Sequence, residues 1–146
     1  MTTFSTSREI PAPAREVFAA FADPDRLARW WGPAGFTSTF HRFDFVPGGR
    51  WVLTLHGPDG QNYPNESVFT AIEADRRIVL WHESGHQFEL TVTLQERPTG
   101  TLVLWEQAFV DSAEAEAVRH IVEPANEQNL DRLTREVTRV PDESGG

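Results

Sequence analysis

A single change of hydrophobic period near Phe109 restricts this chain more than anything else in it. From Phe36 to Phe109 apolar residues tend to recur at every second position, most cleanly where Phe88, Leu90, Val92 and Leu94 alternate with Glu89, Thr91 and Thr93. That stretch is cut by Pro47-Gly48-Gly49, Gly57-Pro58-Asp59-Gly60, Ala74-Asp75-Arg76, Glu83-Ser84-Gly85 and Pro98-Thr99-Gly100. Each gap is hairpin length, so the stretch reads as a meander of six antiparallel strands. Beyond Asp111 the period becomes helical, with Ala115, Val118, Val122, Ala125, Asn129, Leu133 and Val137 tracing one stripe. Asp111 and Glu114 resemble a capping box at its start, and Arg132, Arg135 and Arg139 sit where a helix dipole favours cations. Pro124 predicts a kink.

The region before the meander completes the pattern. Thr2 to Pro11 reads as a strand, and Val17, Phe18 and Phe21 share one face of a helix that starts near Pro13. Asp23-Pro24 then supplies an N-cap and a proline at N1 for a short second helix that stops at Gly32-Pro33. A strand, two small helices, a six-strand meander and a long terminal helix make an α+β arrangement. The length of 146 residues matches one domain, expected over 1–140, with 141–146 as a disordered tail.

Composition narrows the function. All 13 basic residues are Arg, and 22 acidic residues leave a net charge of −9, which argues against nucleic acid as a partner. With no cysteine there is no disulfide, thiolate metal site or cysteine nucleophile. Apolar runs such as Phe18 to Ala22 are far shorter than the ~20 residues of a membrane span. The N-terminus carries no signal-peptide pattern, so a cytoplasmic location is expected. Sixteen aromatic residues, five of them Trp, point to a large core, a pocket, or both. No nucleophile elbow, phosphate loop or dinucleotide fingerprint is present, and no cofactor is expected.

His82-Glu83-Ser84-Gly85-His86 matches H-E-x-x-H, the zinc-protease motif. That chemistry needs both imidazoles on one helix face, whereas here strand patterns enter and leave and Glu83-Ser84-Gly85 is a turn. No metal is therefore expected.

Several motifs together resemble a known family. They are Asp23-Pro24 leading to Ala28-Arg29-Trp30-Trp31-Gly32-Pro33, then Asp44-Phe45-Val46-Pro47-Gly48-Gly49-Arg50-Trp51, and His56-Gly57-Pro58-Asp59-Gly60. Tyr63-Pro64-Asn65-Glu66-Ser67 and Ala125 to Leu133 extend the likeness. The chain is similar to the SRPBCC superfamily, which includes START domains, polyketide cyclases and the major birch pollen allergen. Within it, the chain resembles a bacterial branch of the family named for the activator of heat-shock protein 90 ATPase. The resemblance implies a helix-grip fold, an antiparallel sheet curled around the terminal helix, with a pocket between them for apolar small molecules.

Pairing the meander on that pattern places Trp51, Leu53, Leu55, Glu66, Val68, Leu80 and His82 on the inner side. Phe88, Leu90, Val92, Val103, Trp105, Gln107 and Phe109 join them, while Leu102 and Leu104 fall outside and hint at a dimer contact or a covered edge. Trp31, Val122 and Asn126 add to the expected ligand-binding set. Glu66 and His82 are the candidate proton-transfer pair, or an anchor for a ligand head group. Gln107, Asn126 and Asn129 could orient a ligand or bond to backbone. The expected function is binding of an apolar or aromatic, lipid- or polyketide-like molecule. A cyclase- or hydrolase-type enzyme and a chaperone-activator-like interaction protein are the alternatives.

Overall fold

A computed structural model describes residues 1–139. The elements run β1 (Thr2–Ile10), α1 (Ala14–Ala22), α2 (Pro24–Trp30), β2 (Thr37–Phe43), β3 (Arg50–His56), β4 (Asn62–Glu73), β5 (Arg77–His82), β6 (Phe88–Arg97), β7 (Gly100–Phe109) and α3 (Ser112–Thr138). This is the expected order, and the seven strands form one curved antiparallel sheet in the order β1-β7-β6-β5-β4-β3-β2. The tail expected over 141–146 lies outside the described residues.

Local chemistry accounts for the element ends. The Asp23 carboxylate accepts the Asp25 N–H at 2.9 Å, with Pro24 at the first helical position. Asp111 caps α3 by accepting the Glu114 N–H at 3.1 Å. Glu114 does not complete the box, because its carboxylate pairs with His86. The helix continues through Pro124.

Because β1 and β2 are the two edge strands and are adjacent in sequence, α1 and α2 must carry the chain from one edge to the other. Doing so, they close one end of the trough in which α3 lies. Ile10, Val17, Leu27, Trp30, Val103, Leu130 and Leu133 are buried where these layers meet. The buried face of α3 differs from the expected stripe. Asn126, Leu130 and Glu136 are buried, whereas Val122, Ala125 and Val137 are half-buried. Arg8 on β1 bonds Asp131 at 2.6 Å and Glu127 at 3.1 Å on α3, and nearer the start of that helix the Arg119 guanidinium stands 4.7 Å from the Phe4 ring centre.

One irregularity decides which side chains face the trough. β4 and β5 pair regularly from Glu73↔Arg77 to Ala71↔Val79, and then a bulge at Thr70 shifts the register so that Phe69 meets Leu80 and Ser67 meets His82. Without the extra residue, Val68 would face His82 and the expected parity would hold. With it, Asn65, Ser67 and Phe69 turn inward, and Glu66 and Val68 turn outward. The Pro47-Gly48-Gly49 turn secures the bulged end: Gly48 N–H donates to Phe69 O at 2.7 Å and Phe69 N–H to Gly49 O at 2.9 Å. A Cβ on Gly49 would stand 2.0 Å from Asp44 O, so only glycine fits there. Leu102 and Leu104 lie half-buried on the outer face, as expected.

Candidate functional site

Sheet, α3 and the segment after α2 enclose a cavity of about 380 Å3. Its floor is apolar: Trp51, Leu53 and Leu55 from β3, Leu80 from β5, and Phe88 and Phe109 further along the sheet. Trp51 stacks on Phe69, with ring centres 5.9 Å apart and planes within 7° of parallel. Trp31 leans over it at 4.8 Å, and Val122 and Asn129 of α3 form the roof. Pro64 and the Ser84-Gly85-His86 turn line the mouth.

The tryptophan pair that ends α2 divides its work. Trp30 is 1% exposed and its indole N–H donates to Ala20 O at 2.9 Å, which makes it a core plug. Trp31 turns the other way and lines the cavity. The turn that lets it do so is held from α3. Asn129 Oδ1 accepts the Gly32 N–H at 3.0 Å, and the Arg132 guanidinium donates to the carbonyls of Arg29, Gly32 and Pro33 at 2.9–3.0 Å. Arg132 therefore satisfies the carbonyls at the end of α2, a use of this residue that the helix-dipole reading missed. The signal was present only as an arginine on the α3 face beside Asn129.

Of the expected ligand-binding residues, Trp31, Trp51, Leu53, Leu55, Leu80, His82, Phe88, Gln107 and Val122 line the cavity. Leu90 and Trp105 are instead part of the buried core, and Asn126 lies behind the cavity wall, donating to Gln107 Oε1 at 3.1 Å. Val68 and Glu66 lie on the outer face because of the Thr70 bulge. The Glu66 carboxylate, about half exposed, lies 3.9 Å from Arg50, and Glu66 and His82 do not form a pair. Asn65 and Ser67, which the parity argument missed, take the inner positions.

His82 sits at the mouth, its ring stacked on Phe88 with centres 4.5 Å apart. Nε2 is 2.6 Å from Asn65 Oδ1 and Nδ1 is 2.9 Å from the His86 carbonyl. Both partners are acceptors, so a neutral ring donates to one of them at a time. Burial lowers the His82 pKa below the usual imidazole value, against the raising effect of the His86 carbonyl. His86 pairs with Glu114 at the start of α3, which ties the β5–β6 turn to the roof. The H-E-x-x-H segment is thus a hairpin end, as read from the strands around it. Among the described residues no group of three or more His, Asp or Glu is placed to hold a metal, and no helix is long and apolar enough to cross a membrane.

Comparison with known proteins agrees with this architecture. The family model described as activator of Hsp90 ATPase homolog 1-like protein matches residues 11–138. No protein among those of curated function matches the sequence. The solution NMR structure of a protein from Arthrobacter aurescens superposes with a TM-score of 0.87 at 24% identity, over 96% of this chain and 88% of that one. A crystal structure from Nitrosomonas europaea gives a TM-score of 0.87 at 16% identity, covering 94% of both chains. An AHSA1-like protein from Aeromonas hydrophila, solved by NMR, is 27% identical with a TM-score of 0.73, over 93% of this chain and 92% of that one. With the family model spanning nearly every element and the same helix-grip sheet recurring in these structures, the chain belongs to the family of activator of Hsp90 ATPase homolog 1-like proteins.

Proposed function

We propose that the chain binds a compact apolar or aromatic small molecule in the cavity between the sheet and α3. The observation that carries this reading is the cavity itself, about 380 Å3 walled mainly by aromatic and aliphatic side chains. That volume lies toward the small end of ligand pockets, which favours a compact guest over a long lipid. Burying roughly 200 Å2 of apolar ligand surface would contribute about 5 kcal/mol before the costs of association. The fold and family suggest a ligand-binding or activator-like role, and the built interior favours the first. Proton transfer by Glu66 and His82 loses its geometric basis, since the two side chains lie on opposite faces of the sheet.

Native mass spectrometry of protein taken directly from cells, combined with titration by the uncharged dye Nile red, tests the reading. A retained mass or saturable dye binding is expected, lost in Val122→Trp, which fills the roof from a half-buried position. Dye binding that Val122→Trp leaves unchanged, in protein with native circular dichroism, would place the apolar site elsewhere and overturn it. Stimulation of a chaperone ATPase that persists in Val122→Trp would favour the activator-like role.

A further inference from the structure

The polar groups inside the cavity are strongly biased in kind. Asn129 is 8% exposed, and its Oδ1 must be the atom that receives the Gly32 N–H, because a backbone N–H can only donate. That leaves its Nδ2 amide as a donor with no partner among the described residues, on a side chain that lines the cavity. Gln107, 9% exposed on β7, repeats the arrangement: Asn126 Nδ2 donates to its Oε1, leaving Nε2 without a partner. Asn126, which holds Gln107, and Asn129 are three residues apart on α3, so their Cβ atoms share one helix face at a spacing of roughly 5–6 Å. An amide donor that no protein acceptor meets is left to water or to a guest, and a guest that supplied an acceptor would keep that hydrogen bond on entering the cavity.

Charge is absent from the same walls. The titratable lining residues are Tyr63, His82 and His86. His86 is taken up by Glu114, and Arg132 near the roof is spent on backbone carbonyls. Glu66, Glu83 and Arg50 associate with one another away from the cavity lining. Neither an anion nor a cation would find a counter-charge inside, and the chain's net charge of −9 further disfavours anions.

We propose that the free amide groups of Asn129 and Gln107 form a donor clamp for the carbonyl-type oxygen of an uncharged, otherwise apolar ligand. The clamp deepens the binding reading above and rests on it. Ser67, 4% exposed and without a hydroxyl partner among the described residues, faces the cavity between Trp51 and His82, its neighbours across β3 and β5. It offers a further polar contact on the opposite wall.

Three ligands that share a diphenyl frame test the proposal by isothermal titration calorimetry at pH 8: benzophenone, diphenylmethane and diphenylacetate. A cavity that only buried apolar surface would favour the hydrocarbon. The clamp instead predicts that benzophenone binds about fivefold or more tighter than diphenylmethane, the effect of one well-placed hydrogen bond, and tighter than diphenylacetate. Asn129→Asp keeps the oxygen that receives Gly32 N–H but removes the donor, and Gln107→Glu does the same toward Asn126. Each is expected to reduce the benzophenone preference by about threefold or more, and either one suffices if the other fails to fold. Equal binding of ketone and hydrocarbon overturns the clamp while leaving the cavity reading intact. Absence of binding by both overturns the two together. Tighter binding of diphenylacetate refutes the uncharged class.

Discussion

Glu136 offers the sharpest quantitative test of how the trough is held closed. Its carboxylate is 5% exposed, yet it accepts hydrogen bonds from Arg26 Nε at 3.1 Å and from Arg29 Nε and Nη2 at 2.8 and 2.9 Å. Removing one partner of a fully buried ion pair costs about 3–5 kcal/mol. Here the side chains of Arg26 and Arg29 are 21% and 43% exposed and can recover water, so Glu136→Ala should cost about 2–3 kcal/mol. For a domain of this size that is a fall in Tm of roughly 6–10 °C. Burial raises the Glu136 pKa, but the hydrogen bonds from Arg29 and Arg26 outweigh it and hold the group below its ordinary value. The folded pKa is depressed, so the contribution is fully present above the unfolded value near 4.5 and is lost as pH falls through the folded pKa. Urea unfolding of wild type, Glu136→Gln and Glu136→Ala from pH 7 to pH 3 should therefore show gaps that shrink at the acid end. Gaps under about 0.5 kcal/mol at pH 7, or gaps independent of pH, would refute the argument that this cluster clamps α3 onto α2.

Three other outcomes follow from single contacts. NMR titration of the imidazoles should show His82 with a pKa below the usual 6.5, so that stability falls as pH drops below that value, where the unfolded chain takes up the proton first; a raised His82 pKa would contradict its burial. Gly49→Ala should cost more than about 3 kcal/mol in chemical denaturation, since the added methyl group meets the Asp44 carbonyl, and a change under about 1 kcal/mol would show that the turn yields easily. Asp111→Ala should lower stability by about 1 kcal/mol through the lost cap on Glu114 N–H, whereas Asp111→Asn should retain most of it.

The site was only partly legible beforehand, and the reason is specific. Trp51, Leu53, Leu80 and Gln107 could be assigned to the inner face by pairing the meander, on the pattern the resemblance supplies, with the strand from Phe88 to Leu94, which alternates cleanly. Glu66 and Val68 could not, because Thr70 carries a bulge that no residue pattern announces and that reverses everything before it in β4. The same reversal hid Asn65 and Ser67, two short polar residues that read as outward-facing.

Sequence alone determined what depends on neighbours a few residues away: the Asp23-Pro24 and Asp111 helix starts, the glycine turns, the two-residue period of the strands and the presence of the long terminal helix, though not which of its faces is buried. These follow from backbone sterics, capping and side-chain periodicity. Only the tertiary structure decided which chemistry meets which. The Glu136 carboxylate finds Arg29 across 107 residues, Asn129 finds Gly32 across 97, and Glu66 and His82 separate onto opposite faces. Those outcomes depend on register summed along whole hairpins and on the docking of α3, where one extra residue or one turn of helix changes the partner while barely altering the local pattern.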